Sequence, residues 1–440
     1  MFINYIKAKY KCFYKWINAS SIRNRLFSGM MWSVFGGIVS KVIALFLSVI
    51  LARILGKRVF GEYGIIQSTL SMFIIVAGLG IGITGTKYVA EFKNTDKDRA
   101  GSLIGLIQIS SVVAAVVIAL LFALITPWLS KSVLSAPHIY LPLILSSFLL
   151  LFNSINAMQI GILAGFEAFK PIALVNFLGS VISMPIIVFC GLYYKLNGVI
   201  IGLIINSVIV CIISHFILIK ILKNSNITVD YKNLKKEKEL IYKYSLPAML
   251  SGLMIVPVNW ICNTLLVNQP NGYGEMGGYN AANQWFNALM FLPGLLGQAV
   301  LPILSEQSRQ NDKKVIKAIL FKSSLMNAIL VIPLMIILCI FSKAIMSLYG
   351  DGFQNYWITM VYSVVAASIL AILSQMGNFI AALNKMWIGL LMNLGWGVIF
   401  VFFSNLYIDK GAEGIALSRL IAYAVHTLWT VIYIRSYTYH

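Results

Sequence analysis

The sequence predicts an all-α polytopic membrane protein whose twelve transmembrane helices form two six-helix parallel repeats. Three observations carry this. Of 440 residues, 59% are hydrophobic and 11% charged, with a mean hydropathy of +0.86; a soluble domain carries about 25% charged residues. Apolar runs of about 20 residues recur along the chain, each long enough to cross a hydrocarbon layer of about 30 Å as a helix. Landmarks of the first half also recur in the second at a near-constant spacing: Tyr63 with Tyr279, Glu91 with Glu306, Asn176 with Asn393 and Gly198 with Gly414.

Taken in order, the chain opens on "MFINYIKAKYKCFYKWINASSIRNRL", which mixes lysines with aromatic residues. It suits an interfacial amphipathic helix on anionic lipid and lacks the apolar core and cleavage site of a signal peptide. Six candidate spans follow, over 29–51, 61–84, 101–125, 139–164, 169–191 and 198–219. The longest polar break, "KNSNITVDYKNLKKEKELIYK" (Lys223–Lys243), separates them from six more, over 243–267, 279–304, 318–341, 356–382, 387–407 and 412–434. The division is therefore a basic N-terminus (1–27), a first lobe (28–220), a linker (221–242) and a second lobe (243–436).

Orientation follows from the basic residues. With the N-terminus in the cytoplasm, the inner segments hold most of the 34 lysines and arginines, including the run from Lys220 to Lys243 and that from Arg309 to Lys322. The outer segments keep few, among them Arg53, Lys57, Arg58, Lys131 and Lys195. Both termini are then cytoplasmic, and the net charge of +20 is anchoring charge, with no nucleic-acid patch implied. Six spans per half start both halves on the same side. Repeats of that kind build transporters whose site lies between the halves.

The block "NRLFSGMMWSVFGGIVSKVIALFLSVILARILGKRVFGEYGI", with its core "LARILGKRVFGEYG" (Leu51–Gly64), resembles the opening of the polysaccharide transporter family of the MOP flippase superfamily, the Wzx-type flippases. The length, the span plan and the basic central loop fit the likeness. The resemblance implies two lobes in a V around a central cavity in a bacterial inner membrane. It implies export of undecaprenyl-diphosphate-linked oligosaccharide, of O-antigen or capsule type, from the cytoplasmic to the periplasmic leaflet. Membrane lipids and the polymerase and other proteins of glycan assembly are the implied partners.

No fixed catalytic motif is carried by that family, so site residues are read from physics. Lys41 lies about 15 Å from either edge of its span at 1.5 Å per residue, too deep for its stem to reach water. An ammonium there costs about 2.5–3.5 kcal/mol on the lenient insertion scale. Its helix face carries Ser33, Gly37, Ser40, Ala44, Ser48 and Ala52, with Phe35, Val42, Phe46, Val49 and Ile50 opposite. Small and polar residues mark the inward face. Arg419 lies on a comparable face, nearer the outer edge, where reaching outward to water is the competing reading. Two readings of Lys41 stand: a structural pair with Glu62, or a wet cationic cavity that receives a diphosphate or acidic sugar.

Polar stripes extend the cavity reading. Span 279–304 presents Asn280, Asn283, Gln284, Asn287 and Gln298, and span 61–84 presents Gln67 among serines and glycines. Amides are held away from lipid and suit sugar hydroxyls; interhelical glue is the bland alternative. Span 243–267 adds Asn259 and Asn263, with Pro247 and Pro257 as bending points for a gate. No cofactor is implied, and a proton or sodium ion coupled through Glu62 or Glu306 is the one co-substrate to weigh. The histidines form no metal-binding spacing, the five cysteines are scattered, and no P-loop occurs.

Two other functions remain on this evidence. A multidrug exporter of the same superfamily would want a buried carboxylate for its cationic cargo, whereas the buried charges here are positive. A membrane enzyme of glycan assembly, polymerase or glycosyltransferase, would need a larger extramembrane region.

Overall fold

The computed structural model describes residues 21–78, 81–231, 254–297, 300, 304, 313–383 and 385–439. Every regular element among them is helical: α1 Ser21–Gly78, α2 Ile81–Phe92, α3 Lys97–Trp128, α4 Tyr140–Gly165, α5 Phe169–Asn224, α6 Ile255–Val267, α7 Gly272–Leu289, α8 Lys313–Ile340, α9 Ser342–Ser347, α10 Trp357–Ala382, α11 Met386–Leu406 and α12 Gly411–Tyr439, with short π and 3-10 turns at the connections. Eight of the described helices are long and apolar enough to cross a membrane, and Ile255–Val267 is a shorter apolar one.

The two longest helices are broken where the sequence places outer connections. α1 is interrupted at Gly56 (φ 74°, ψ 167°), a conformation that glycine adopts without a Cβ penalty. Tyr349 touches both sides of that break, Ser48 at 3.2 Å and the Phe60 ring at 6.3 Å between centroids. α5 is interrupted at Lys195 (φ 49°, ψ −129°). The chain folds back there, because Gly179 packs on Val210 and Gly202 on Ile187. α3 starts at a capped end: the Asp96 carboxylate accepts from Arg99 N at 3.0 Å, and Asp98 in the first turn complements the helix dipole.

Two boundaries differ from the sequence reading. The span expected from residue 279 begins at Gly272. Its glycine-rich start, "GYGEMGGY", looks too polar to count as apolar, yet it lets backbones approach: a side chain at Gly61 would strike the Tyr273 carbonyl, and one at Gly277 the Lys57 carbonyl. The span expected over 61–84 is helical as far as Gly78, residues 79–80 lie outside the described residues, and helix runs again from Ile81 to Phe92, past the expected end.

The buried cores show how the halves meet. One continuous core joins both, from Leu51, Phe60 and Leu134 in the first half to Tyr273, Tyr349 and Tyr423 in the second. At the opposite end the cores divide. One is built only from first-half residues such as Phe92, Leu103 and Leu222, the other only from second-half residues such as Leu320, Phe379 and Ile434. Among the described residues, then, the halves are welded at the end carrying Gly56 and Tyr273, and hold separate cores at the end carrying Phe92 and Phe379.

Candidate functional site

The weld is polar as well as apolar. Tyr273 donates its hydroxyl to Leu134 O at 2.6 Å, and Asn268 donates to Val133 O at 2.9 Å. Arg53 Nε donates to Leu348 O at 2.6 Å. Deeper along the second segment of α1, Asn263 donates to Ser68 Oγ at 2.8 Å and Trp260 Nε1 to Thr69 Oγ1 at 3.0 Å. Each bond satisfies a group that would be expensive to leave open in a membrane.

Against this weld Lys41 takes a defined direction. A helix turns about 100° per residue. Gly37, one turn before Lys41, meets the Phe291 ring of the second half, and Ser48, two turns after, meets the Tyr349 hydroxyl. Gly36 and Ser40 face α5, at Ala173 and Asn176 O. Ile38, Val42 and Phe46 are exposed on the remaining side, Phe46 at 61%. Lys41 and Ala44 are exposed too: at that turn Ala44 falls between Ser40 and Ser48, and Lys41 falls about 20° past Ser48, toward Ile38. Lys41 therefore stands at the boundary between the packed face of α1 and its exposed apolar side. Among the described residues Lys41 has no ion-pair partner.

The structural pair left open by the sequence does not form. Glu62, 5% exposed, binds His138 Nε2 at 2.8 Å and stands 3.8 Å from Arg58 Nε. His138 in turn rests edge-on against Tyr273. Glu62 thus belongs to the weld.

Arg419 is neither reaching outward nor open to the gap. It is 3% exposed. Its Nη1 donates to Asn283 Oδ1 at 2.8 Å, and its guanidinium lies 4.1 Å from the Phe286 centroid and 5.3 Å from that of Tyr279. Among the described residues Nε and Nη2 have no hydrogen-bond partner. Cation–π contact with two rings offsets part of that deficit.

The amide stripes divide. Asn283 serves Arg419, Asn263 serves Ser68, Gln67 donates to Tyr63 OH at 3.2 Å, and Asn259 to Ile255 O at 2.7 Å. Asn280 is buried beside Gly64 with its Nδ2 unpartnered. Gln284 is half-buried and Asn287 exposed. Pro257 sits in the first turn described for α6. Pro247, Gln298 and Glu306 lie outside the described residues. The structure thus leaves Lys41 exposed and brings Arg419, Asn283, Asn263 and Asn280 into packing. Sequence reasoning missed Phe291, Tyr349 and His138, whose roles come from contacts far apart in the chain.

Comparison with known proteins adds three findings. A family model described as "Polysaccharide biosynthesis protein" matches residues 26–308. The "EPS I polysaccharide export inner membrane protein EpsE" of Ralstonia nicotianae (strain ATCC BAA-1114 / GMI1000) is 28% identical over 208 residues, 46% of this chain and 47% of that protein. The chain spans about half the length of the curated relatives it matches. Among solved structures, the lipid II flippase MurJ in an inward closed conformation superposes with a TM-score of 0.75 at 14% identity, covering 92% of this chain and 87% of MurJ. An inward-facing multidrug resistance MATE family transporter of the MOP superfamily gives 0.68 at 15% identity, covering 90% and 95%. At those identities the likeness is one of fold.

Proposed function

The chain belongs to the polysaccharide biosynthesis protein family, and from that premise we propose that it is a flippase for lipid-linked oligosaccharide, working by alternating access through a cationic cavity between its halves. The observation that carries this is the exposed Lys41, without an ion-pair partner among the described residues and within about 40° around the helix of Gly37 and Ser48, which meet Phe291 and Tyr349 of the second half. A deep ammonium without a carboxylate is favourable only with water or an anion beside it. A diphosphate head group supplies that anion, and exposed amides such as Asn287 suit the hydroxyls of an attached sugar.

In this reading the protein is a transporter and not an enzyme. Residues 28–220 and 243–436 form two six-span lobes, twelve passes in all, around the cavity, with 1–27 and 221–242 on the cytoplasmic side. The weld at Gly56 and Tyr273 is then the periplasmic gate, shut, and the separated cores mark the side that admits cargo. The cargo is an undecaprenyl-diphosphate-linked repeat unit moving to the periplasmic leaflet of a bacterial inner membrane. The relative's printed name, a polysaccharide export inner membrane protein, supports location and cargo class. Buried positive charge disfavours a cationic drug as cargo.

An anionic head group moving outward runs down an inside-negative potential worth about 2.3 kcal/mol per charge per 100 mV. Proton or sodium coupling would instead run through Glu62 or Glu306. Deleting the gene tests the reading: lipid-linked glycan accumulates on the cytoplasmic leaflet and clears when the wild type is restored. Unchanged leaflet distribution in the deletion strain would reject it.

A further inference from the structure

A second cavity lies away from the gap between the halves. It is a groove of about 370 Å³ between α3, α4 and the second segment of α5, a size that accepts a small ligand. Ile109, Val112, Val113, Met158 and Leu218 form its walls. Val113 is 56% exposed, and Ile212 and Phe216 beside it on α5 are 49% and 67% exposed. An apolar rim of that kind on membrane-crossing helices opens to acyl chains.

Three features at one end give the groove polarity. Gln159 lines it, is only 3% exposed, and among the described residues has no hydrogen-bond partner for Oε1. An orphaned acceptor at that depth costs about 1–3 kcal/mol, so the site lacks a donor that a ligand can bring. His215 lines the same groove. Tyr231 closes the end by donating to Gln108 Oε1 at 2.7 Å. Gln159 stands six residues before the end of α4 at Gly165, about 9 Å along the axis, toward one end of the helix.

We propose that this groove is a phospholipid site: one acyl chain lies along Val112, Met158 and Leu218, and a primary-ammonium head group donates to Gln159 Oε1. The occupant is a bulk membrane lipid, not the transported cargo. The site is separate from Lys41 and stands whether or not the transport reading does.

The test uses the full chain, purified into detergent with equal amounts of phosphatidylethanolamine and phosphatidylcholine of identical chains, and reads retained lipid by native mass spectrometry. The two head groups differ in having or lacking N–H donors. The wild type is expected to retain phosphatidylethanolamine with about tenfold preference, the scale of one charge-assisted hydrogen bond. Gln159→Leu removes the preference while chain binding persists. Gln159→Glu keeps it. Val112→Trp fills the groove and lowers retention of both lipids. Thermal unfolding of each variant separates these effects from misfolding. Equal retention of the two lipids by the wild type overturns the proposal, as does a preference that survives Gln159→Leu. Exclusive retention of an added polyprenyl phosphate also overturns it, because the groove would then hold a cargo tail.

Discussion

Arg419 and Asn283 form a buried pair in which a guanidinium is held by a neutral amide: Nη1 donates to Oδ1 at 2.8 Å, and no carboxylate stands at ion-pair distance among the described residues. The two rings stacked on the cation, Phe286 and Tyr279, come from the same helix as Asn283. α7 and α12 are therefore tied through one polar contact inside an aromatic box.

Removing that one acceptor should be costly. Asn283→Ala leaves the guanidinium with ring contacts alone, and a hydrogen bond to a charged group contributes about 1.5–3 kcal/mol. The thermal midpoint of the purified protein falls accordingly. Arg419→Met, which removes the charge along with its need, is milder. The double variant is less destabilised than the two singles summed, as a coupled pair requires.

Lys195 predicts the opposite sign. It holds φ 49° and ψ −129° at the fold-back within α5, a sparsely populated region costing a non-glycine residue about 1–3 kcal/mol. Lys195→Gly relieves that strain but loosens the unfolded chain, which takes back part of the gain. A small net rise in thermal midpoint is expected, and Lys195→Val should lower it.

How much of this was legible in the sequence depends on the range of the interaction. The breaks at Gly56 and Lys195 fall where basic residues and glycine mark connections between apolar runs. The lipid side of α1 was readable too: Val42 and Phe46, bulky and apolar, are exposed. These are local properties of composition and period. Phe291 against Gly37 and Tyr349 against Ser48 join residues hundreds of positions apart, and no local pattern announces them. Arg419 was misjudged because small neighbours on a helix face suit a cavity and a packed interface equally. The three aromatic rings around it, Phe286, Tyr279 and Tyr423, decide between the two by filling the space.

The welded end should have to open for transport. A Cβ at Gly64 would lie 3.1 Å from Asn280 Cβ, a few tenths of an ångström short of the 3.5–4.5 Å of a disulfide, so a small separation of the two helices accommodates the bond. In a background with the native cysteines replaced, Gly64→Cys with Asn280→Cys is expected to cross-link on oxidation and stop glycan export. Reductant restores it. Export that continues in the cross-linked protein would show that this end does not move.

Lys41 bears the central claim, and its charge can be changed without adding bulk to the packed positions around it. The direct measurement is transfer of polyprenyl-diphosphate-linked oligosaccharide across proteoliposomes containing the wild type, Lys41→Arg or Lys41→Ala, each checked for an intact thermal midpoint. Arginine is expected to hold the rate within a few-fold. Alanine is expected to lower it by about tenfold or more, the loss of one charge-assisted contact to phosphate. Wild-type transfer by Lys41→Ala would contradict the account.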